Sequence, residues 1–176
     1  GKMRNALRLL QRFDAMLPDE RPENTEGYEG FFHLVGVDGG VERARADYII
    51  RDHDRESFER RKDIFRGAAL SLEDGEVSVD VDIADQYYNM GEVLSGDNYR
   101  IVEMAIEAMK RIGIDPIVTP VRGGTDGARL SFMGLPSPNI FAGGENFHGK
   151  YEFVAVESME AAVRLIEEIV YSAVEA

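Results

Sequence analysis

Cysteine is absent from this sequence of 176 residues, and so is tryptophan. Without cysteine the chain forms no disulfide bond, has no thiol nucleophile and offers no thiolate metal ligand, so a bound metal would need His, Asp or Glu. This composition suits a reducing cytosol. The sequence also has no apolar run near the ~18 residues that a transmembrane helix needs. Residues 1–10 carry too much charge for a signal peptide.

Positive charge is scarce. The chain has 20 Lys and Arg against 33 Asp and Glu, which gives a formal net charge of −13. A surface this acidic repels phosphate backbones and anionic membranes, so we expect neither nucleic acid nor a membrane as a partner. With 44% hydrophobic and 30% charged residues, the composition is that of a globular protein with one domain or two small ones.

The first half of the chain has the pattern of an α+β unit. Apolar spacing predicts a helix over 3–16, which starts without an N-cap residue, and a second helix over 54–70. Between them, strands over 30–37 and 41–51 flank a predicted hairpin turn at 38–40. Strict alternation over Val77–Ile83 predicts a half-buried strand. These elements together predict an antiparallel sheet with helices on one side.

The second half alternates helices and strands. The sequence predicts a helix capped by Asp97, a strand over 116–121, a short helix after residue 127, a strand over 138–142 and a final helix capped by Ser158. This rhythm is typical of parallel α/β architecture. We therefore predict an α/β protein with a boundary near residue 92, which separates residues 1–91 from residues 92–176.

The chain has only three histidines. His53 lies in a dense charge run and is interpreted as a surface residue without a role. His33 lies inside an apolar strand, where a neutral imidazole bonded to a main-chain carbonyl is the ordinary expectation. His148 follows a predicted strand in a Gly-rich loop, and ligands bind at the carboxyl ends of strands in α/β sheets. A ligand role and a local hydrogen bond both remain open for His148.

The turn over 122–127 combines a cation, flexible backbone and helix-start amides, which suit a carboxylate or a phosphate. Such glycine turns are also common as plain strand-to-helix connections. The turn is not a P-loop, because no Lys-Ser or Lys-Thr follows, and the chain has no Gly-x-Ser-x-Gly motif. The residues by themselves therefore do not define a complete active site.

Several segments, in order along the chain, point to a known family. They are Thr25–Leu34, Tyr48–Asp52, Tyr87–Met90, Arg122–Ala128, Leu135–Phe141 and His148–Phe153. Together they resemble the peptidase T family, the tripeptide aminopeptidases among the dinuclear zinc exopeptidases. The resemblance covers only the carboxyl-terminal half of that family.

The resemblance implies that residues 1–91 form a lid or dimerisation domain without its first strand, and that residues 92–176 form the end of a zinc-exopeptidase catalytic domain. It implies a cytoplasmic, homodimeric parent enzyme that binds two zinc ions and releases the amino-terminal residue of small peptides. In the family the His-x-Asp, bridging Asp, Glu-Glu and further Asp motifs lie upstream of the half that this chain resembles, so none of them is present here. This chain alone is therefore expected to be inactive.

Two histidines acquire roles from the resemblance. His148 resembles the family's last zinc ligand. His33 resembles the lid histidine that enters the active site of the other subunit and stabilises the tetrahedral oxyanion.

The resemblance also assigns substrate-binding residues. Asn89 and Arg122 resemble the groups that hold the backbone and the terminal carboxylate of the substrate, and Gly123, Gly124 and Thr125 complete the turn. Two alternatives remain: a non-catalytic dimerisation and substrate-binding module, and a sibling dipeptidase or aminoacylase.

Overall fold

The chain divides into two compact units. The structure is a computed structural model that describes residues 3–121 and 123–175. The first unit is Gly1–Asn89 and the second is Met90–Ala176. No helix in the described ranges is both long and apolar enough to span a membrane.

Both helices of the first unit begin at side-chain caps. Helix α1 spans Ala6–Met16, and the Asn5 side chain accepts a hydrogen bond of 3.2 Å from the Arg8 amide. The expectation of an uncapped helix over 3–16 is therefore wrong. Its apolar pattern extends past the cap, so periodicity alone does not show where the helix starts. Helix α2 spans Arg55–Leu70 and begins at Asp54.

Two antiparallel strands form the hairpin of the first unit. Strand β1 spans Phe31–Gly39 and strand β2 spans Ala44–Arg51. A bulge between Leu34 and Gly36 shifts the register. The predicted turn at 38–40 is placed too early, since pairing continues to Gly39 and the Gly40 amide closes the turn on the Arg43 carbonyl at 2.7 Å.

Both helices pack on one face of this hairpin. The buried core consists of Phe13, Leu17, Phe32, Ala69 and Leu72. The Phe13 ring lies edge-on to Phe65 with centroids 4.9 Å apart. The core therefore joins α1, β1 and α2, as the α+β pattern predicts.

The segment Val77–Ile83 is not a ladder strand. Within the described residues its pairing is limited to an isolated bridge between Val77 and Asp74. The predicted alternation is nevertheless present, because odd-numbered residues are half-buried and even-numbered ones are exposed. Val79 and Val81 pack against the core. Periodicity thus predicts which side chains face inward, whereas a ladder also needs a neighbouring strand.

The second unit is built mainly from helices. Helix α3 spans Arg100–Arg111, α4 spans Asp126–Phe132 and α5 spans Val156–Glu175, and two short 3₁₀ helices, Met90–Glu92 and Gly96–Tyr99, precede α3. Strands β3, Gly144–Glu145, and β4, Phe153–Val154, form a small antiparallel pair. Helix α3 packs on α5.

Several predicted elements of this unit differ from the structure. Residues 116–121 and 138–142 join no ladder among the described residues, and the described sheets are antiparallel. Neither predicted cap is correct, because Asp97 lies in a 3₁₀ helix and Ser158 lies within α5. The broad prediction of a mixed α/β protein with an antiparallel sheet is confirmed.

Candidate functional site

His148 lies at the tip of the β3–β4 hairpin. It has a positive φ of 62°, which a residue with a β-carbon seldom adopts. Its amide donates to the Glu152 carboxylate at 3.2 Å, and the Gly149 amide closes the turn on the Asn146 carbonyl at 2.8 Å. The loop thus holds the backbone and leaves the His148 side chain exposed. A local hydrogen bond made by the ring is not observed among the described residues.

His148 can supply one metal ligand, and this chain does not complete a metal site. Within residues 3–121 and 123–175, no three His, Asp or Glu side chains lie close enough together to hold a metal ion. Catalytic zinc needs about three protein ligands. The donor set of the described residues therefore does not fit zinc without further ligands.

His33 lies on β1 opposite Ile49 of β2. Because side chains alternate along a strand, His33 faces away from the side on which Phe32 enters the core. It is half-buried, and no described group hydrogen-bonds to its ring. The interpretation of His33 as a core histidine bonded to a carbonyl is thus not supported.

Asn89 ends the first unit beside the loop that precedes α2. Its side-chain amide donates to the His53 carbonyl at 3.0 Å. The His53 ring lies edge-on to Tyr28, with centroids 5.1 Å apart. The main chain of His53, for which the sequence suggests no role, therefore orients a predicted substrate-binding residue.

Aromatic rings and cations surround this end of the unit. The Arg51 guanidinium lies 4.8 Å from the Tyr87 ring centroid, and the Arg55 guanidinium lies 4.1 Å from that of Tyr88. Burial raises the pKa of the Tyr87 phenol. Its hydroxyl is buried without a described hydrogen-bond partner. Cation–π contacts thus fix the chain just before Asn89.

The predicted anion-binding turn leads into α4. Arg122 lies outside the described residues, and Gly123 and Gly124 are exposed. The Thr125 hydroxyl accepts from the Ala128 amide at 3.3 Å and from the Asn139 side chain at 3.2 Å. Thr125 therefore acts in the structure as the N-cap of α4 and as its tie to the following loop.

A buried serine fixes this turn, and the sequence analysis missed it. The Ser131 hydroxyl donates to the Gly127 carbonyl at 2.7 Å and accepts from the Ser137 amide at 2.9 Å. Ser131 is only 2% exposed. A β-carbon on Gly127 would lie 2.5 Å from the Ser137 carbonyl, so this close approach requires glycine. The sequence signal for a buried polar group here is Ser131 itself, a polar residue on the apolar face of a short helix.

The comparisons with known proteins all match this chain to peptidases. The model of peptidase family M20/M25/M40 matches residues 16–172. The chain is 54% identical over 165 residues to peptidase T of Macrococcus caseolyticus, covering 92% of this chain and 40% of that protein. It is 53% identical over 172 residues to peptidase T of Bacillus cereus strain B4264, covering 96% and 42%. The chain thus spans about two fifths of the length of these curated relatives.

A solved structure shares the fold. It is aminopeptidase PepT from Bacillus cereus ATCC 10987, with a TM-score of 0.65 and 21% identity, covering 94% of this chain and 46% of that one. The resemblance to peptidase T that the motifs indicate is therefore confirmed by matches that cover nearly all of this chain. The chain belongs to peptidase family M20/M25/M40.

Proposed function

We propose that this chain is the lid and the carboxyl-terminal catalytic portion of a zinc-dependent tripeptide aminopeptidase of the peptidase T type. The observation that carries the proposal is identity above 50%, over nearly the whole chain, to proteins named peptidase T. The conformation of the His148 loop supports it, because the loop exposes an imidazole at the tip of the β3–β4 hairpin.

His148 is the residue that would hold zinc. When bound, zinc would polarise the peptide carbonyl and lower the pKa of its water. The left-handed turn fixes the His148 main chain, so binding a metal would cost mainly the rotational freedom of the side chain. The other ligands and the general base are proposed to come from parts of the parent enzyme that this chain does not match.

Substrate binding is proposed for Asn89, Arg122 and the turn at Gly123–Thr125. Asn89 would orient the peptide backbone, and Arg122 would pair its fork of donors with the terminal carboxylate. His33 would donate a hydrogen bond to the oxyanion that forms during hydrolysis. Its half-buried position on the outer face of the β1–β2 hairpin supports this role, since a core position would exclude substrate.

We also propose that the parent enzyme is a cytoplasmic homodimer whose subunits contact each other through the first unit. Its support is the β1–β2 hairpin, where the apolar side chains of Val35 and Val37 are about half exposed. The same surfaces also suit a non-catalytic dimerisation and substrate-binding module, which the following experiment separates from the enzyme.

The test uses a completed protein, in which this chain replaces its counterpart in peptidase T of Bacillus cereus strain B4264. We expect zinc-dependent hydrolysis of tripeptides, with slower hydrolysis of dipeptides and tetrapeptides. His148→Ala should remove bound zinc and activity, whereas Lys150→Gln in the same loop should retain both. A completed protein that binds zinc and tripeptide without hydrolysis would favour the module. A preference for dipeptides or acylated amino acids would favour a sibling specificity.

A further inference from the structure

The peptide group between His53 and Asp54 is held at both of its polar atoms. Its carbonyl, that of His53, accepts the 3.0 Å hydrogen bond from the Asn89 side-chain amide. Its N–H, that of Asp54, donates to the Asp52 carboxylate at 3.0 Å. The carbonyl and the N–H of a trans peptide lie in one plane and point in opposite directions. The bond that fixes the N–H therefore also fixes the direction in which the carbonyl meets Asn89.

Arg61 holds the Asp52 carboxylate in turn. The Arg61 Nε donates to Asp52 Oδ2 at 2.7 Å, while Asp52 Oδ1 accepts from the Asp54 amide. Both side chains of the ion pair are largely buried, with 14% of Arg61 and 6% of Asp52 exposed. Hydrogen bonds between ionised groups at such distances are strong and directional. The carboxylate thus uses one oxygen for the cation and the other for the peptide group.

The Arg61 guanidinium is anchored on its other side as well. Its Nη1 donates to the Glu20 carboxylate, and its centre lies 5.5 Å from the ring centroid of Phe32, a core residue. The Phe32 amide donates to the Glu20 carbonyl at 2.8 Å, which ties that acidic residue to β1. A β-carbon at Gly30 would lie 2.5 Å from Arg61 Nε, so the main chain closes on the guanidinium. These contacts leave Arg61 one arrangement against Asp52.

We propose that Arg61 and Asp52 are positioning residues for substrate binding and that they act through Asn89. They fix the peptide group whose carbonyl holds the Asn89 amide, and neither side chain would touch the substrate. A carbonyl only accepts hydrogen bonds, so the His53 carbonyl also selects the nitrogen end of the Asn89 amide and turns its oxygen away. The inference rests on the proposed role of Asn89 and deepens it, because it names the residues that orient this side chain.

The first experiment measures steady-state kinetics of the completed protein on a tripeptide. Arg61→Lys keeps the positive charge but loses the fork of donors that spans two carboxylates. It should raise KM about two- to tenfold, up to the effect of Asn89→Ala, with little change in kcat. In the Asn89→Ala background the same substitution should change KM by less than about twofold, because the side chain that it orients is already gone.

Arg21→Lys is the matched control. Arg21 also pairs with two carboxylates, those of Asp14 at 3.2 Å and Asp19 at 3.8 Å, and its side chain is 21% exposed. Its partners lie at the end of α1 and in the loop that follows. We expect Arg21→Lys to lower the free energy of unfolding about as much as Arg61→Lys does, but to leave KM within about twofold. A general loss of stability would instead raise KM in both variants.

Asp52→Asn is a second variant, because an amide has one accepting oxygen where the carboxylate uses two. It should give the same pattern of KM values as Arg61→Lys. Hydrogen exchange measured by NMR on this chain by itself then tests the Asn89 bond without any peptidase activity. Both variants should speed exchange of the Asn89 side-chain amide about three- to tenfold, as expected for one weakened hydrogen bond, and Arg21→Lys by less than about twofold.

The outcomes separate this inference from the proposed function. An inactive completed protein, together with faster Asn89 exchange in both variants, supports the positioning of Asn89 while the proposed function fails. An active completed protein in which Arg61→Lys raises KM equally with and without Asn89 overturns the inference while the function stands. Exchange of the Asn89 amide that Arg61→Lys and Arg21→Lys change equally also overturns it.

Discussion

The side-chain amide of Asn89 donates a hydrogen bond of 3.0 Å to the main-chain carbonyl of His53. The bond spans 36 positions of sequence and ties the last residue of the first unit to the loop before α2. The edge-on contact between His53 and Tyr28 holds that loop in turn. The main-chain carbonyl of His53 therefore orients Asn89, a predicted substrate-binding residue, although the His53 side chain has no assigned role.

Replacing Asn89 by Ala in the completed protein should raise KM for a tripeptide about three- to tenfold, the value of one lost neutral hydrogen bond. We expect little change in kcat, because the amide would bind the ground state and the transition state equally. Asn98→Ala is the control, since Asn98 makes a similar bond of 2.9 Å to the Val93 carbonyl and has no proposed role. Steady-state kinetics check this prediction. A loss confined to kcat would contradict it.

His33→Ala should lower kcat of the completed protein by about 100- to 1,000-fold, since one oxyanion donor is lost. Bound zinc should not change. Mixing this variant with His148→Ala should restore part of the activity, because a heterodimer then has one site with both histidines intact. Each variant alone, treated in the same way, is the control. Heterodimers without restored activity would mean that His33 acts within its own subunit.

The stability of the first unit should depend on pH through Asp85. Hydrogen bonds from Lys62, at 2.9 Å, and from Tyr88, at 2.7 Å, hold the pKa of Asp85 below its usual value. A carboxylate with a lowered folded pKa stabilises the fold above about pH 4 and loses that contribution as pH falls through the folded pKa.

Asp85→Asn should therefore lower the free energy of unfolding at pH 7 by about 1 kcal/mol, and the difference should shrink below pH 4. Urea denaturation of this chain at several pH values measures both effects. Asp63→Asn removes a pair with Arg66 in which Asp63 is 78% exposed, so it should cost less than about 0.5 kcal/mol. Equal costs for the two variants at pH 7 would refute this account of Asp85.

Replacing Gly30 and Gly67 by alanine should change the free energy of unfolding in opposite directions. A β-carbon at Gly30 would lie 2.5 Å from Arg61 Nε and 2.6 Å from the Arg51 carbonyl, and would overlap Asp52. Gly30→Ala should therefore destabilise the chain by about 1–3 kcal/mol. A β-carbon at Gly67, within α2, would meet open space, and Gly67→Ala should stabilise by about 0.5–1 kcal/mol. Urea denaturation checks both, and a neutral Gly30→Ala would contradict the crowding.

The local spacing of apolar residues predicts those elements that pack on other elements of this chain. The apolar spacing that ends with Phe13 and Leu17 predicts α1, and both residues enter the core. For Val77–Ile83 the alternation of exposure was predicted correctly, whereas the ladder was not. Periodicity reports which face is buried, and pairing depends on a neighbour that no local pattern specifies.

The geometry of the candidate site was less accessible from sequence, because it depends on hydrogen-bond partners that a residue pattern does not specify. The resemblance predicts a zinc ligand at His148, whereas the left-handed φ of this residue follows from hydrogen bonds within the loop. The bond between Asn89 and His53 has no sequence signature. The two hydrogen bonds of the Ser131 hydroxyl were missed for the same reason, since a single serine in a short helix does not indicate which groups it contacts.

Hydrolysis of a tripeptide with and without the rest of the enzyme tests the central claim most directly. We predict that the 176-residue chain, supplied with zinc, releases no amino-terminal residue above the blank, because it offers one proposed zinc ligand and no general base. The completed protein should hydrolyse the same tripeptide with a kcat close to that of peptidase T of Bacillus cereus strain B4264. Hydrolysis at that rate by the chain alone, or an inactive completed protein that folds and binds zinc, would contradict the account.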